Sequence, residues 1–200
     1  SQLLHIAFDG ERWGDTIGLA PTVGMLDDPR TQSQYPMQLD FLENGHTMIY
    51  GAPGSGKTTF LQTLILSTAL AYSPEVAVMY LLDFGGGSLN LFRNLPHVGA
   101  VVRDNEDERV VKVCKLIMDE LKVRKTRFAE LGVISIDGYR EASGESMPYI
   151  LLAVDSFGPL LNLFPDLDEF FRTITREGGG YGIYLAATAN SESAVPYRIL

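Results

Sequence analysis

Cysteine, histidine and long apolar runs are all scarce in this sequence. Cys114 is the only cysteine, so no internal disulfide can form, and the three histidines form no cluster with zinc-ligand spacing. No apolar stretch approaches the roughly 20 residues that cross a bilayer, and the amino terminus lacks the basic-then-apolar pattern of a secretory signal. These features exclude a disulfide scaffold and a zinc domain, and they favour a cytosolic domain without its own membrane span.

Basic residues are also few relative to acidic ones. The chain carries 16 basic and 25 acidic residues, a net charge of −9, which argues against a nucleic-acid partner for this domain alone. Low-complexity tracts are missing, and a hydrophobic content of 46% is enough to build a core, which excludes a disordered chain. Because the sequence begins with Ser1 rather than methionine, we expect a piece of a longer polypeptide.

The pattern of the sequence changes near residue 45. Prolines and glycines are spread through residues 1–45, which predicts an irregular lead-in with short strands packed on the core. In residues 46–200 short apolar runs alternate with helical patterns, as expected for βα units around a parallel sheet. Because the runs are apolar on both faces, they predict central strands. These runs are 47–50, 76–82, 99–102, 149–154 and 181–187.

Three amphipathic segments predict the intervening helices, at 57–72, 106–131 and 167–176. For the longest, Asn105 and Glu108 predict a capping box at the start, and Gly132 predicts a left-handed stop. Cys114 lies on the apolar stripe, which predicts a core role rather than a reactive thiol. The whole stripe is Val110, Val113, Cys114, Ile117, Leu121, Phe128 and Leu131.

Residues 51–58, Gly-Ala-Pro-Gly-Ser-Gly-Lys-Thr, fit the phosphate-loop pattern G-x-x-x-x-G-K-[ST] in full. An apolar run precedes them and a helical pattern follows, which is the context that this motif requires. Glycines permit the backbone angles that turn successive N–H groups toward an anion, and the helix dipole adds positive potential. The sequence therefore predicts an α/β fold of the P-loop NTPase (RecA/ASCE-like) type, with a mostly parallel sheet covered by helices on both faces.

The ligands predicted for this loop are ATP and Mg²⁺. Lys57 would reach the β- and γ-phosphates, and the hydroxyl of Thr58 would ligate the metal. Thr59 is the more peripheral member of the set. The predicted nucleotide contacts of the loop are Gly51, Ala52, Pro53, Gly54, Ser55, Gly56, Lys57, Thr58 and Thr59.

Two of the predicted strands end in an aspartate. The run 149–154 leads straight into Asp155, which we favour as the Mg²⁺-associated acid beside Thr58, acting partly through water. Asp83 has the same setting and precedes three glycines, at the strand edge where ligands approach open α/β sheets. Its alternative role is to cap a turn or a helix.

Ser156 stands where hydrolysing P-loop enzymes with an added strand commonly carry a glutamate after the metal aspartate. A hydroxyl has no useful basicity at pH 7, and a general base contributes roughly 10²- to 10⁴-fold to the rate. The sequence therefore predicts nucleotide binding with slow or no turnover.

Polar residues near the last strand and the last helix complete the candidate site. Thr188 and Asn190 both come shortly after the run 181–187, and they are candidates for contact with a γ-phosphate. The alternative is that they mark the end of a strand and the start of a loop. Arg176, and less so Arg172, is a candidate arginine finger supplied in trans within a ring. The alternative for both arginines is a solvated surface position.

Four segments together resemble the FtsK/SpoIIIE family of motor ATPases: residues 51–58, 80–88, 95–99, and 128–133 with Tyr139-Arg140. The resemblance covers about residues 20–200. Its specific part is Leu-Leu-Asp-Phe-Gly-Gly-Gly at 81–87 with Leu-Pro-His-Val-Gly at 95–99. Within the family, these residues are most similar to the downstream ATPase domains of type VII secretion coupling proteins of the EssC and EccC kind.

The resemblance implies several such domains in series on the cytoplasmic side of a bacterial membrane, anchored through other parts of the protein. It implies that downstream domains hold nucleotide as a structural or regulatory ligand. The implied partners are the other ATPase domains of the chain and small helical substrates of the WXG class, recognised through a carboxyl-terminal signal.

Two alternative functions remain at the sequence level. A DNA-translocating motor follows from family kinship, although the net charge of −9 and Ser156 argue against it. A nucleotide-independent interaction platform follows from the apolar segment 157–164, which would present a groove to a partner helix. The simpler interpretation of that segment is core packing.

Overall fold

The computed structural model describes residues 7–10, 13–14 and 18–199. A hairpin of β1 (Thr22–Asp28) and β2 (Ser33–Gln38) comes first, followed by the short helix α1 (Phe41–Asn44). The remaining strands are β3 (Thr47–Tyr50), β4 (Ala77–Asp83), β5 (Val98–Arg103), β6 (Tyr149–Asp155) and β7 (Ile183–Ala189). The remaining helices are α2 (Lys57–Ala71), α3 (Asp107–Leu131), α4 (Ile136–Ser143), α5 (Phe157–Leu163) and α6 (Asp168–Glu177).

Five strands form one parallel sheet in the order β3-β7-β6-β4-β5. Successive side chains of β6 enter different cores: Leu151 and Ala153 join a cluster with α2, whereas Leu152 and Val154 join a cluster with α3, α5 and α6. Both faces of the sheet are therefore covered by helices, because a strand buried on both sides needs a helical layer on each. The predicted α/β fold class is confirmed.

The structure corrects the prediction that all five runs are central strands. In the described part of the chain, β3 and β5 lie at the two edges of the sheet. Every residue of β3 is only half-buried, and Val98, Gly99 and Ala100 of β5 are partly or fully exposed. An apolar run favours a strand, but it does not show how many strands pair with it or how deeply it is buried.

The amino terminus of α3 differs from the predicted capping box. The N-cap residue is Glu106, and no side chain caps the first turn. The Glu106 carboxylate instead accepts the backbone N–H of Arg103 at 2.9 Å and pairs with Arg109. The box predicted from Asn105 and Glu108 is therefore wrong, because the chain enters α3 one residue later than the motif assumed.

The apolar stripe of α3 also differs at two positions. Leu131 is 44% exposed, whereas Arg124, which the stripe omitted, is fully buried. The end of the helix is as predicted, since Gly132 adopts φ 66° in the left-handed region. Cys114 is buried in the core, and this burial raises the pKa of its thiol to about 12, which leaves it inert at neutral pH.

Three short helices, α1, α4 and α5, have no counterpart among the predicted segments. The side chain of Ser135 caps α4 by accepting the Gly138 N–H at 3.0 Å, a local signal that the sequence carries. In α5, Phe157 and Leu160 are completely buried, so the apolar segment 157–164 contributes mainly to the core. Among the described residues, no helix is both long and apolar enough to cross a bilayer.

Candidate functional site

The phosphate loop connects the carboxyl end of β3 to the first turn of α2, as the sequence predicts. The Gly51 N–H donates to the Ala189 carbonyl at 3.2 Å, which ties the loop to the end of β7. Gly54 and Gly56 have φ values of 79° and 91°, a region that favours glycine. Residues 52–56 are exposed, so the loop is open to a ligand.

Lys57 is the first residue of α2, and its side chain folds back over the loop. Its Nζ donates to the carbonyl oxygens of Gly51 at 2.7 Å and Ala52 at 2.9 Å. The ammonium group thus lies at the loop, where a phosphate would meet it together with the positive end of the α2 dipole.

Asp155 ends β6 and lies directly beside Thr58, although 97 positions separate the two residues. The Thr58 Oγ1 lies 3.1 Å from Oδ1 and 2.9 Å from Oδ2 of Asp155 and donates to this carboxylate. Asp155 is only 1% exposed. Mg²⁺ prefers oxygen ligands from one or two carboxylates and a substrate phosphate, so this hydroxyl and carboxylate pair fits the metal that the loop implies.

Asp83 lies next to Asp155 across the β4–β6 pairing. Its buried carboxylate accepts the backbone N–H groups of Gly85 at 3.2 Å, Gly87 at 3.0 Å and Leu89 at 2.7 Å. Asp83 therefore caps and organises the glycine loop that follows it. A contact between Asp83 and a ligand stays a prediction.

The glycine loop closes over Asp155. The Phe84 N–H donates to the Asp155 carbonyl at 3.0 Å, and a Cβ at Gly85 would lie 2.1 Å from Asp155 Oδ2. Only glycine lets the backbone approach the carboxylate so closely. Sequence reasoning placed Asp83 at this edge but missed Gly85, for which the run of three glycines was the available signal.

Ser156 follows Asp155 and has an unusual backbone conformation. Its φ of 67° and ψ of 69° are left-handed, which costs a residue with a side chain of the order of 1–3 kcal/mol. Its N–H donates to the Oγ1 of Thr188 at 2.8 Å. The Thr188 Oγ1 in turn donates to Asp155 Oδ1 at 2.6 Å.

Residues 16–200 match the model of the FtsK/SpoIIIE family. The chain belongs to this family. It is 35% identical over 173 residues to the ESX secretion system protein EccC of Geobacillus thermodenitrificans. It is 31% identical over 180 residues to the type VII secretion system protein EssC of Staphylococcus aureus. These matches cover 86% and 89% of this chain but only 12% of each relative.

The chain is also similar to solved structures of type VII secretion ATPase domains. ATPases 2 and 3 of Thermomonospora curvata EccC, in complex with a signal sequence peptide, match with a TM-score of 0.87 and 32% identity. ATPases 2 and 3 of EssC from G. thermodenitrificans match with a TM-score of 0.83 and 32% identity. The matches cover 100% and 98% of this chain and 37% of each of those chains. The chain is thus homologous to ATPase domains of type VII secretion proteins.

Asn190 and Thr188 differ in their access to a ligand in this FtsK/SpoIIIE domain. Asn190 is exposed directly after β7, beside the strand end to which the phosphate loop is tied. Thr188 is fully buried, and its hydroxyl is engaged by Asp155 and Ser156. Of the two candidates for a γ-phosphate contact, only Asn190 is accessible.

The arginines of α6 are not brought to the site of their own chain. Arg176 lies in the last turn of α6, which continues through a turn at Gly178–Tyr181 into the amino end of β7, whereas the phosphate loop lies at the carboxyl ends. Arg176 pairs with Glu177 at 2.6 Å and Arg172 with Glu169 at 3.1 Å. A role of Arg176 as a finger for a neighbouring subunit in a ring stays a prediction.

Proposed function

We propose that this FtsK/SpoIIIE domain is an ATP-binding module of a type VII secretion coupling protein, which holds Mg·ATP and hydrolyses it slowly or not at all. The observation that carries the proposal is the intact pair of Thr58 and Asp155 at 2.9 Å beside the loop lysine Lys57, followed by Ser156.

Each part of the site has a distinct role in the proposed binding. The loop 51–56, exposed from residue 52 onward, supplies backbone N–H groups for the phosphates. Lys57 gives up its contacts with the loop carbonyls and supplies a point charge. Thr58 and Asp155 present the oxygens that hold Mg²⁺ and its water shell. When bound, the metal neutralises charge on the phosphates.

Slow hydrolysis is expected because position 156 provides no general base for an attacking water. Ser156 presents a hydroxyl rather than a carboxylate, and its N–H is already used by Thr188. Without a general base, the rate of ATP hydrolysis is lower by roughly 10²- to 10⁴-fold. The bound nucleotide then acts as a ligand that stabilises the folded domain and its contacts with its neighbours.

The proposed setting is the cytoplasmic side of a bacterial membrane, in a protein anchored there by other segments. The relatives with solved structures contain ATPases numbered 2 and 3, which supports other ATPase domains of the same chain as partners. The signal sequence peptide bound to the T. curvata protein supports exported proteins with a signal segment as partners of the parent protein. The resemblance to type VII secretion proteins adds that these substrates are small helical proteins of the WXG class.

Isolation of the bound nucleotide tests the proposal. The purified domain is mixed with a slight molar excess of Mg·ATP, freed of unbound nucleotide and denatured, and the released nucleotide is identified. We expect intact ATP at close to one per chain, and a stabilisation of about 2.7 kcal/mol when ATP is at 100 times its Kd.

Two variants control this experiment. Lys57→Ala should abolish both the retained ATP and the stabilisation, whereas Lys112→Ala, which removes a 76% exposed side chain of α3, should keep both. Recovery of ADP after phosphate release would contradict slow hydrolysis, and an unchanged melting temperature with Mg·ATP would contradict binding itself.

A further inference from the structure

The hydroxyl of Thr188 joins the two residues that decide the chemistry of the site. Thr188 lies near the end of β7 and is 0% exposed. Its Oγ1 donates to Asp155 Oδ1 at 2.6 Å and accepts the Ser156 N–H at 2.8 Å. A threonine hydroxyl has one proton to donate, and here that proton is already directed at a carboxylate. Thr188 therefore has no donor left for a phosphate.

We propose that Thr188 is a positioning residue, which orients the Asp155 carboxylate for Mg²⁺ and holds Ser156 in its left-handed conformation. This inference rests on the proposed function, because it assigns a role within the same nucleotide site. The Thr188 hydroxyl would orient the Asp155 carboxylate for the metal without contacting the metal or the nucleotide.

Asp155 is held on three sides, and Thr188 supplies the only one of these three contacts that comes from β7. Thr58 donates from α2, and the backbone of Gly85 packs against Oδ2 from the glycine loop. Thr58 is itself the predicted metal ligand, so its hydrogen bond to Asp155 would change if Mg²⁺ were bound. The bond from Thr188 to Oδ1 is made by a buried strand residue that is not a predicted ligand of the metal or the phosphates. It is therefore the contact that keeps the carboxylate oriented in both states.

The bond to Ser156 explains how the strained backbone persists. A left-handed residue other than glycine is maintained only where its surroundings hold it in place. The N–H of Ser156 meets a fixed acceptor in Thr188, and its carbonyl accepts the Leu160 N–H at 3.4 Å in the first turn of α5. Thr188 therefore couples the backbone after the metal aspartate to the same hydroxyl that orients the aspartate.

Three variants separate this role from simple packing. Thr188→Val keeps the volume and the β-branched shape but removes the hydroxyl, and Thr188→Ser restores the hydroxyl with less volume. Thr68→Val is the matched control, because Thr68 is also 0% exposed and its hydroxyl donates only within α2, to the Leu64 carbonyl at 2.8 Å.

The first readout is the gain in ATP affinity that Mg²⁺ provides, measured as the ratio of the Kd in EDTA to the Kd in saturating Mg²⁺. Groups that orient a metal ligand typically contribute 10- to 100-fold to metal affinity. We expect Thr188→Val to reduce the gain by about that factor. We expect Thr188→Ser and Thr68→Val to stay close to the wild type. A general loss of packing would weaken both affinities together and leave the ratio unchanged.

The second readout needs no nucleotide. Hydrogen exchange of the Ser156 amide, followed by NMR in the free domain, reports directly on its bond to Thr188. We expect exchange to be slow in the wild type, in Thr188→Ser and in Thr68→Val, and at least about tenfold faster in Thr188→Val, since the amide then has no acceptor.

The outcomes distinguish this inference from the proposed function. An unchanged Mg²⁺ gain in Thr188→Val, with a normal gain in the wild type, overturns the positioning role and leaves the proposed function intact. A gain as poor in Thr188→Ser as in Thr188→Val overturns it as well, since the hydroxyl would not be the deciding group. A wild type with no Mg²⁺ gain at all overturns the proposed function and, with it, the metal role of Thr188. Unchanged exchange at Ser156 overturns the role in holding its backbone.

Discussion

Ser156 is the residue at which the proposed site separates nucleotide binding from hydrolysis. It follows the metal aspartate directly, and its left-handed backbone is held by the hydroxyl of Thr188. The groups proposed to bind phosphate and metal, Lys57, Thr58 and Asp155, make their own hydrogen bonds without the Ser156 side chain. The proposed function therefore predicts that nucleotide binding and hydrolysis can be separated at this one residue.

Ser156→Glu should accelerate hydrolysis of bound ATP, measured in single turnover with Mg·ATP. We expect a gain of up to roughly 10²- to 10⁴-fold, because a carboxylate supplies the missing general base. Ser156→Gln is the matched control, since it has the same length and the same backbone cost but no basicity. Equal rates for Glu and Gln would show that the base position lies elsewhere.

Gly85→Ala should disturb the metal aspartate directly. The added Cβ would lie 2.1 Å from Asp155 Oδ2, so the carboxylate or the glycine loop must move. Overpacking of this kind costs about 1–3 kcal/mol, which urea unfolding measures, and the Mg²⁺ gain in ATP affinity should fall as well. Gly180→Ala, where a Cβ meets nothing within 4 Å, is the control and should change neither quantity.

At the scale of elements, a buried arginine anchors α3 to the sheet. The Arg124 guanidinium donates to the carbonyl oxygens of Tyr181 and Pro148, each at 2.8 Å, where the chain enters β7 and β6. Its Nε donates to Glu120 at 2.8 Å, one turn earlier on the same helix. Burial lowers the pKa of Arg124, yet the five donors of a guanidinium still satisfy three acceptors at once. The helix is thereby positioned by polar contacts as well as by its apolar stripe.

Arg124→Met should destabilise the domain strongly, because it leaves the carbonyl oxygens of Tyr181 and Pro148 without this donor. Each buried unpaired acceptor costs about 1–3 kcal/mol, so the free energy of unfolding in urea should fall by several times the usual surface effect. Lys122→Met removes a cation of the same helix whose side chain is 70% exposed, and it should shift that free energy by no more than about 0.5 kcal/mol. Equal effects of the two substitutions would contradict the anchoring role.

At the scale of the whole molecule, two histidines join distant parts of the chain. The Nδ1 of His46, just before β3, accepts the Leu185 N–H of β7 at 3.0 Å. The Nε2 of His97 lies 2.7 Å from the Tyr72 carbonyl at the end of α2, and its buried Nδ1 has no partner among the described residues. Burial lowers the pKa of both side chains, since the charged imidazolium is poorly solvated there.

The domain should therefore lose stability as the pH falls below about 6.5, the ordinary pKa of histidine. With the folded pKa below the unfolded one, the unfolded chain binds more protons in this range, so protonation favours unfolding. Urea unfolding at pH 7.5 and 5.5 measures the loss. The double variant His46→Gln, His97→Gln should show a smaller difference between the two pH values, and an equal difference would assign the acid sensitivity to other groups.

The fold and the family could be predicted because their signals are local or periodic. The run into Asp155 and the loop 51–58 each lie within a few residues, and parallel strands bring their carboxyl ends to one edge. The meeting of Thr58 and Asp155 followed from that rule despite the distance along the chain. The helices α1, α4 and α5 were missed because short helices carry too little periodicity. The division of the chain at residues 45 and 46 stays a prediction.

The phosphate loop, the parallel sheet and the absence of a glutamate after Asp155 can be read from the sequence alone, because residue type and short spacing are sufficient for each. The packing of the chain was needed to show that Thr188 is engaged by Asp155, that Gly85 covers that carboxylate and that Arg124 is buried on α3. Each of these depends on which elements pack together. A hydroxyl, a glycine or an arginine acquires such a role only from neighbours that are remote along the chain.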